Sequence, residues 1–141
     1  MTEVPNKRGA DMNWPAIFVA VVINQALGFI WYSQLFGHAW LESIGKSKAD
    51  IHHTPEQFVA SIVGAFLMAI ALSCLVRGLN RTTAFAGAKT GFMLWLGFVL
   101  PTVASHYMFL GHSWTTVAVD AGYQLVSLKI MGAMLAVWRK K

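Results

Sequence analysis

Residues 14–35 read WPAIFVAVVINQALGFIWYSQL, twenty-two residues without a single Asp, Glu, Lys or Arg. The hydrocarbon core of a bilayer is about 30 Å thick and takes roughly 20 helical residues to cross. A continuous apolar run of this length is the pattern of a spanning helix, whereas a barrel strand would alternate. Three more runs of the same kind occur at 58–76, 90–110 and 116–138, and the four together hold only two charged residues, Asp120 and Lys129. The expected fold is therefore all-α, an integral membrane four-helix bundle. Residues 1–13 form an N-terminal tail, 14–138 the membrane domain and 139–141 a basic tail.

Composition agrees with the span pattern. Of 141 residues, 56% are hydrophobic and 12% charged, about half the charged share of a soluble domain, and the mean hydropathy is +0.53. These figures exclude an ordinary soluble enzyme, a disordered chain and a nucleic-acid module with a broad basic face. The lone cysteine, Cys74, can form neither an internal disulfide nor a cysteine zinc site, and reads as a small buried hydrophobe. Lys7 and Arg8 precede the first run as in a signal peptide. The run is too long for one, however, and ends in Trp31 and Tyr32 instead of a small-residue cleavage site, so it reads as a retained span.

Four spans bring both termini to one side. Lys7, Arg8, Arg77, Arg81, Lys89, Arg139, Lys140 and Lys141 all fall on that side, against Lys46 and Lys48 on the other. The positive-inside rule then places the termini in the cytoplasm. The second span has its own start signal: Thr54 as N-cap, Pro55 at the first helical position and Gln57 completing a capping box. In the long first connection, Phe36, Trp40 and Ile44 recur at spacing four, which predicts a short interfacial helix. Small residues at the same spacing (Ala60 and Gly64; Ala65, Ala69 and Ser73; Gly87 and Gly91; Gly132 and Ala136) mark close helix approach, within the chain or between subunits. Pro101, midway along the third span, predicts a kink, with Thr102 and Ser105 available to the freed backbone groups.

Polar groups inside the spans are the candidates for function. Asp120, Tyr123, Gln124 and Ser127 share one face of the fourth span. His106 and Asp120 lie at similar depth on facing helices, which predicts a hydrogen bond between them, either a proton site or a structural clasp. Lys129 is near the centre of the same span. Asn24 and Gln25 reach nearly its depth, so these three form an expected set of buried polar groups; an Asn24 or Gln25 contact to Lys129 follows if spans one and four touch, and a snorkelled or packed Lys is the alternative. All five histidines (His38, His52, His53, His106 and His112) map to the non-cytoplasmic half. His52 and His53, flanked by Asp50 and Glu56, are donors suited to a divalent metal, but their spacing matches no metal motif, and solvated loop residues are the alternative. No phosphate loop, HExxH or GxSxG is present, so no enzyme activity and no cofactor are expected.

Met12-Asn13-Trp14, Gly28, Tyr32-Ser33, Leu35-Phe36-Gly37 and Trp40 resemble the start of a bacterial membrane family known as domain of unknown function 1761. Trp95-Leu96-Gly97-Phe98-Val99 with Pro101, then Phe109, Trp114, Gly122-Tyr123, Leu128, Met131-Gly132 and Trp138, resemble its second half. The resemblance implies a small four-span protein of the inner membrane and carries no activity with it. The family usually has Pro at Gln34, an acidic residue near Leu110 and an apolar residue at Lys129, where this chain departs. The motif residues cluster at the outer end of span one and along spans three and four. They set the expected ligand site at Trp31, Tyr32, Ser33, His106, Asp120, Tyr123 and Gln124. The function these readings favour is binding or transport of a small solute or ion through a polar seam near the outer leaflet, by a homo-oligomer in the bilayer with no nucleic-acid partner. The alternative is a non-transporting scaffold, assembly factor or lipid-associated partner subunit.

Overall fold

The first span begins where Asn13 turns its side chain onto the first turn of the helix. Its Oδ1 accepts from the N–H of Ala16 (3.3 Å) while its Nδ2 donates to the carbonyl of Trp138 (2.9 Å), so one side chain caps the first helix and ties it to the end of the last. The computed structural model describes residues 12–138. The terminal cations Lys7, Arg8, Arg139, Lys140 and Lys141, on which the charge asymmetry leans, lie outside the described residues.

Helix α1 spans Trp14–Ile30 and continues through one π-turn, Trp31–Leu35. The short helix α2, Gly37–Ser43, is the one expected from Phe36, Trp40 and Ile44. A single 3-10 turn, Lys48–Asp50, comes next. There the N–H and Oγ of Ser47 both donate to Asp50 Oδ2, at 2.8 and 2.7 Å, and hold that carboxyl below the usual carboxylate range. Helix α3, Pro55–Gly78, starts at its capping box: Gln57 Oε1 accepts from the N–H of Thr54 at 3.4 Å. Helix α4, Ala84–Leu94, passes through a second π-turn, Trp95–Val99, into α5, Leu100–Phe109. Its start lies six residues ahead of the expected edge, because Thr83 caps the N–H of Ala86 and capping, rather than hydropathy, sets where a helix begins. After a turn with Gly111 at φ +76°, α6 runs Trp114–Val137.

Among the described residues the fold is all helix. Three helices are long and apolar enough to cross a membrane: Trp14–Leu35, Pro55–Gly78 and Ala84–Phe109. The fourth expected span corresponds to α6, which has the length, at 24 residues, but is not among those three. Its lower apolarity has a structural reason. It is the central helix, packed by α1, α3, α4, α5 and α2, and ten of its residues are buried against five in the equally long α3. A helix enclosed by other helices can spend positions on Thr116, Ser127 and Gly132 that a peripheral one must give to bulky apolar side chains.

The core sits at the terminal end of the bundle. Ile17, Leu72, Val76 and Met131 are fully buried there, with Ala16, Ala20, Ala65, Ala69 and Ala136 letting the backbones close on them. Helices α4 and α6 approach most closely. A Cβ on Gly87 would strike the carbonyl oxygen of Gly132, one on Gly132 that of Gly87, and one on Gly91 that of Leu128. This small-residue stripe therefore serves packing within the chain, whereas Gly64 has open space around it. Cys74, expected to be buried, is exposed on α3 with its Sγ 4.0 Å from Met12 Sδ. Peripheral helices of such a bundle turn apolar side chains outward.

Toward the α2 end the bundle loosens. Residues 55–63 of α3 are exposed on every face, and α5 has no buried residue. Phe58 and Val59 are 56% and 59% exposed, on successive faces of a segment that meets α1 through Ser61 and Gln25.

Candidate functional site

Two tryptophans set the frame. Trp31 and Trp95 each open a π-turn, and each donates its indole N–H to a carbonyl of α6: Trp31 to Val119 at 3.0 Å, Trp95 to Ala121 at 2.7 Å. A helical carbonyl keeps a second lone pair after its intrahelical bond, so both contacts are additions to the helix, not substitutes for it. The π-turns close through i to i+5 bonds, Phe36 N–H to Trp31 (2.8 Å) and Leu100 N–H to Trp95. The second turn also answers Pro101. Proline cannot donate to Gly97, the wider turn avoids the clash, and Thr102 Oγ1 bonds the carbonyl of Phe98 at 2.5 Å.

Asp120 lies between the two clamped carbonyls, half-buried. The hydroxyl of Tyr32 donates to its Oδ1, and Tyr107 of α5 is the second phenol facing the carboxylate. Tyr32 meets Tyr123 and Trp40 edge to face, each at 5.5 Å between ring centres. Trp40 is brought there by α2, which is pinned to α6 by Thr116 Oγ1 donating to Ser43 Oγ at 2.8 Å. Gly37 opens α2 because a Cβ there would collide with the carbonyl of Tyr32. Two buried polar atoms of this region have no partner among the described residues: Oε1 of Gln124, one turn along α6 from Asp120, and Nε1 of Trp40.

From Asp120 the polar groups continue inward. Tyr123 Oη donates to the carbonyl of Asn24 (2.9 Å), and Asn24 Nδ2 donates to Ser127 Oγ (2.6 Å). Gln25 Nε2 bonds Asn24 Oδ1 at 3.2 Å, and Ser61 Oγ donates to Gln25 Oε1 at 3.1 Å. The seam stops where Ser127 Oγ meets Met131 Sδ at 3.4 Å. Beyond it lies the apolar core. From Asp120 to Ser127 is seven residues of α6, roughly 10 Å.

Several expected site residues fall elsewhere. His106 does not bond Asp120: it is exposed, with its ring against Tyr107 at 5.6 Å. A π-turn inserts one residue into the helical register, so the face that 106 would present is taken by 107. Lys129 is not buried and touches neither Asn24 nor Gln25. It stands two residues from Ser127, about 200° round α6, and is exposed on the far side. Ser33 is exposed as well and bonds its own helix, Oγ to the carbonyl of Phe29 at 2.5 Å. Trp31, Tyr32, Asp120 and Tyr123 do come together, and Gln124 lies one turn of α6 from Asp120. Tyr107, Trp40 and Trp95 complete the group, and sequence reasoning missed them as site residues. The usable signal was chemical: each is an amphipathic aromatic with a polar tip that must find a partner. His52 and His53 stay in the first connection, with the His53 ring 5.7 Å from Phe58. Among the described residues no group of three metal-ligating side chains forms.

An all-helical chain with three helices fit to cross a membrane, gripping a central helix that carries one carboxylate among phenols and indoles, defines the class. The family model described as Protein of unknown function (DUF1761) matches residues 15–136, and the chain belongs to that family. No curated protein and no solved structure matches it.

Proposed function

We propose that this is a four-span protein of the bacterial inner membrane, termini in the cytoplasm, that binds or moves a small solute or ion at Asp120 from the outer leaflet side as a homo-oligomer. The observation that carries the reading is the carboxylate itself. An ionisable group within a membrane bundle is costly and marks a pathway or ligand site. Asp120 sits at the loosened end of the bundle, where a polar seam begins, and its hydrogen-bond partners are the phenols of Tyr32 and Tyr107. Native mass spectrometry from mild detergent tests this. A defined oligomer with a reproducible small adduct, lost in Asp120→Asn, is the expected result. A bare monomer, or an adduct indifferent to the substitution, sinks it.

A second reading, a scaffold or assembly subunit, draws on residues 55–63 of α3, an exposed segment that presents Phe58, Val59, Ile62 and Val63. In that case Asp120→Asn is silent and a protein partner co-purifies.

A further inference from the structure

The groups around Asp120 narrow the class of ligand, an inference that rests on the reading of Asp120 as a ligand site. We propose that the ligand is a protonated amine bearing a nearby oxygen, an ethanolamine-like group, held by Asp120, Gln124 and Trp40 under the rings of Tyr32 and Tyr123. Asp120 and Gln124 are four residues apart on one face of α6, and so are neighbours. Gln124 Oε1 is a buried acceptor without a donor among the described residues, and a buried acceptor left unmet is costly. No ion pair joins Asp120 to a cation among the described residues, so a carboxylate without a cation and an unmet acceptor lie one helical turn apart on one face. Their complement is a positive charge that also carries N–H donors.

The surroundings favour an organic cation over a metal ion. Rings gather around the phenol that bonds the carboxylate: Tyr32 with Trp40 and with Tyr123 at 5.5 Å, and Trp31 with Tyr123 at 6.4 Å. Aromatic faces attract ammonium groups. Trp40 Nε1 is the reverse case, a buried donor without an acceptor among the described residues. An oxygen on the ligand, a short chain away from its nitrogen, would meet it. The chemistry is shared by a free amino alcohol and by the headgroup of phosphatidylethanolamine.

Calorimetric titration of the full chain in phosphatidylglycerol nanodiscs decides the class, with ethanolamine hydrochloride, sodium chloride, ethylene glycol and tetramethylammonium as probes. Ethanolamine should bind about tenfold or more tightly than sodium or the neutral diol, and Asp120→Asn should weaken it by about tenfold. Gln124→Leu should weaken ethanolamine by about threefold or more while leaving tetramethylammonium, which has no N–H, unchanged. Adding phosphatidylethanolamine to the discs lowers the apparent affinity if the headgroup is the natural occupant and leaves it unchanged if a free amine is. Sodium or the diol matching ethanolamine, with binding still lost in Asp120→Asn, overturns the amine assignment and keeps Asp120 as a ligand site. No binding of any probe to protein of intact helicity, or heat unaltered by Asp120→Asn, overturns both.

Discussion

Tyr32 and Tyr123 stand edge to face, yet their hydroxyls have different work. Tyr32 donates to a carboxylate, and Tyr123 donates to the carbonyl of Asn24, which already belongs to a helix. Hydrogen bonds to a charged group contribute more than those to a neutral one, and inside membranes both are reduced by competing partners. Tyr32→Phe should therefore lower stability by about 1–2 kcal/mol and Tyr123→Phe by less than about 1 kcal/mol, read from unfolding in mixed micelles. The reverse ranking would mean that Tyr107, not Tyr32, is the main donor to Asp120. Much of this chemistry was legible residue by residue: Asp120, Tyr123, Gln124 and Ser127 do share a face, and Tyr32 does reach them. Which neighbour faces Asp120 was not legible, because depth along a helix places both His106 and Tyr107 beside it and only the phase of the helix chooses between them.

That phase is a property of the element. The π-turns at Trp31 and Trp95 each shift the downstream helix by one residue, about 100°. Pro101 announces an irregularity in the third span, but nothing local in WYSQL says that the first span has one too. Capping, by contrast, is written in short range: Thr54, Pro55 and Gln57 mark the start of α3 as expected. Close approach is legible only in part. Small residues at spacing four appear on several helices, and the sequence does not say which stripes meet. The structure pairs Gly87 with Gly132 and leaves Gly64 open. The three glycines thus give opposite expectations for the same substitution. Gly87→Ala and Gly132→Ala push a methyl into a backbone carbonyl and should each cost about 1–3 kcal/mol. Gly64→Ala meets no obstacle and should be neutral or stabilise by up to about 1 kcal/mol through helix propensity. Thermal unfolding in detergent compares them. Equal effects would show that α4 and α6 are not in contact through these residues.

At the scale of the whole molecule the two ends differ. The terminal end holds the apolar core, and the α2 end holds the carboxylate, the phenols and a helix segment exposed all round. The hydrogen-bonded polar groups run inward from Asp120 and stop at Met131, so water that reaches Asp120 from the α2 end is expected to go no further than Ser127. Thiol accessibility tests this. In a Cys74→Ser background, Gln124→Cys should react with a water-soluble methanethiosulfonate, and Leu135→Cys, four percent exposed in the core, should react slower by on the order of a hundredfold. Comparable rates at both positions would mean that water reaches the terminal end and that the seam is a through-path. Adding the reagent to only one face of sealed vesicles orients the molecule at the same time. If the charge asymmetry sets topology, Gln124→Cys is labelled from the outer face and protected from the cytoplasmic one. Labelling from the cytoplasmic face alone would invert the protein and place Asp120 where it could only receive a ligand from inside the cell.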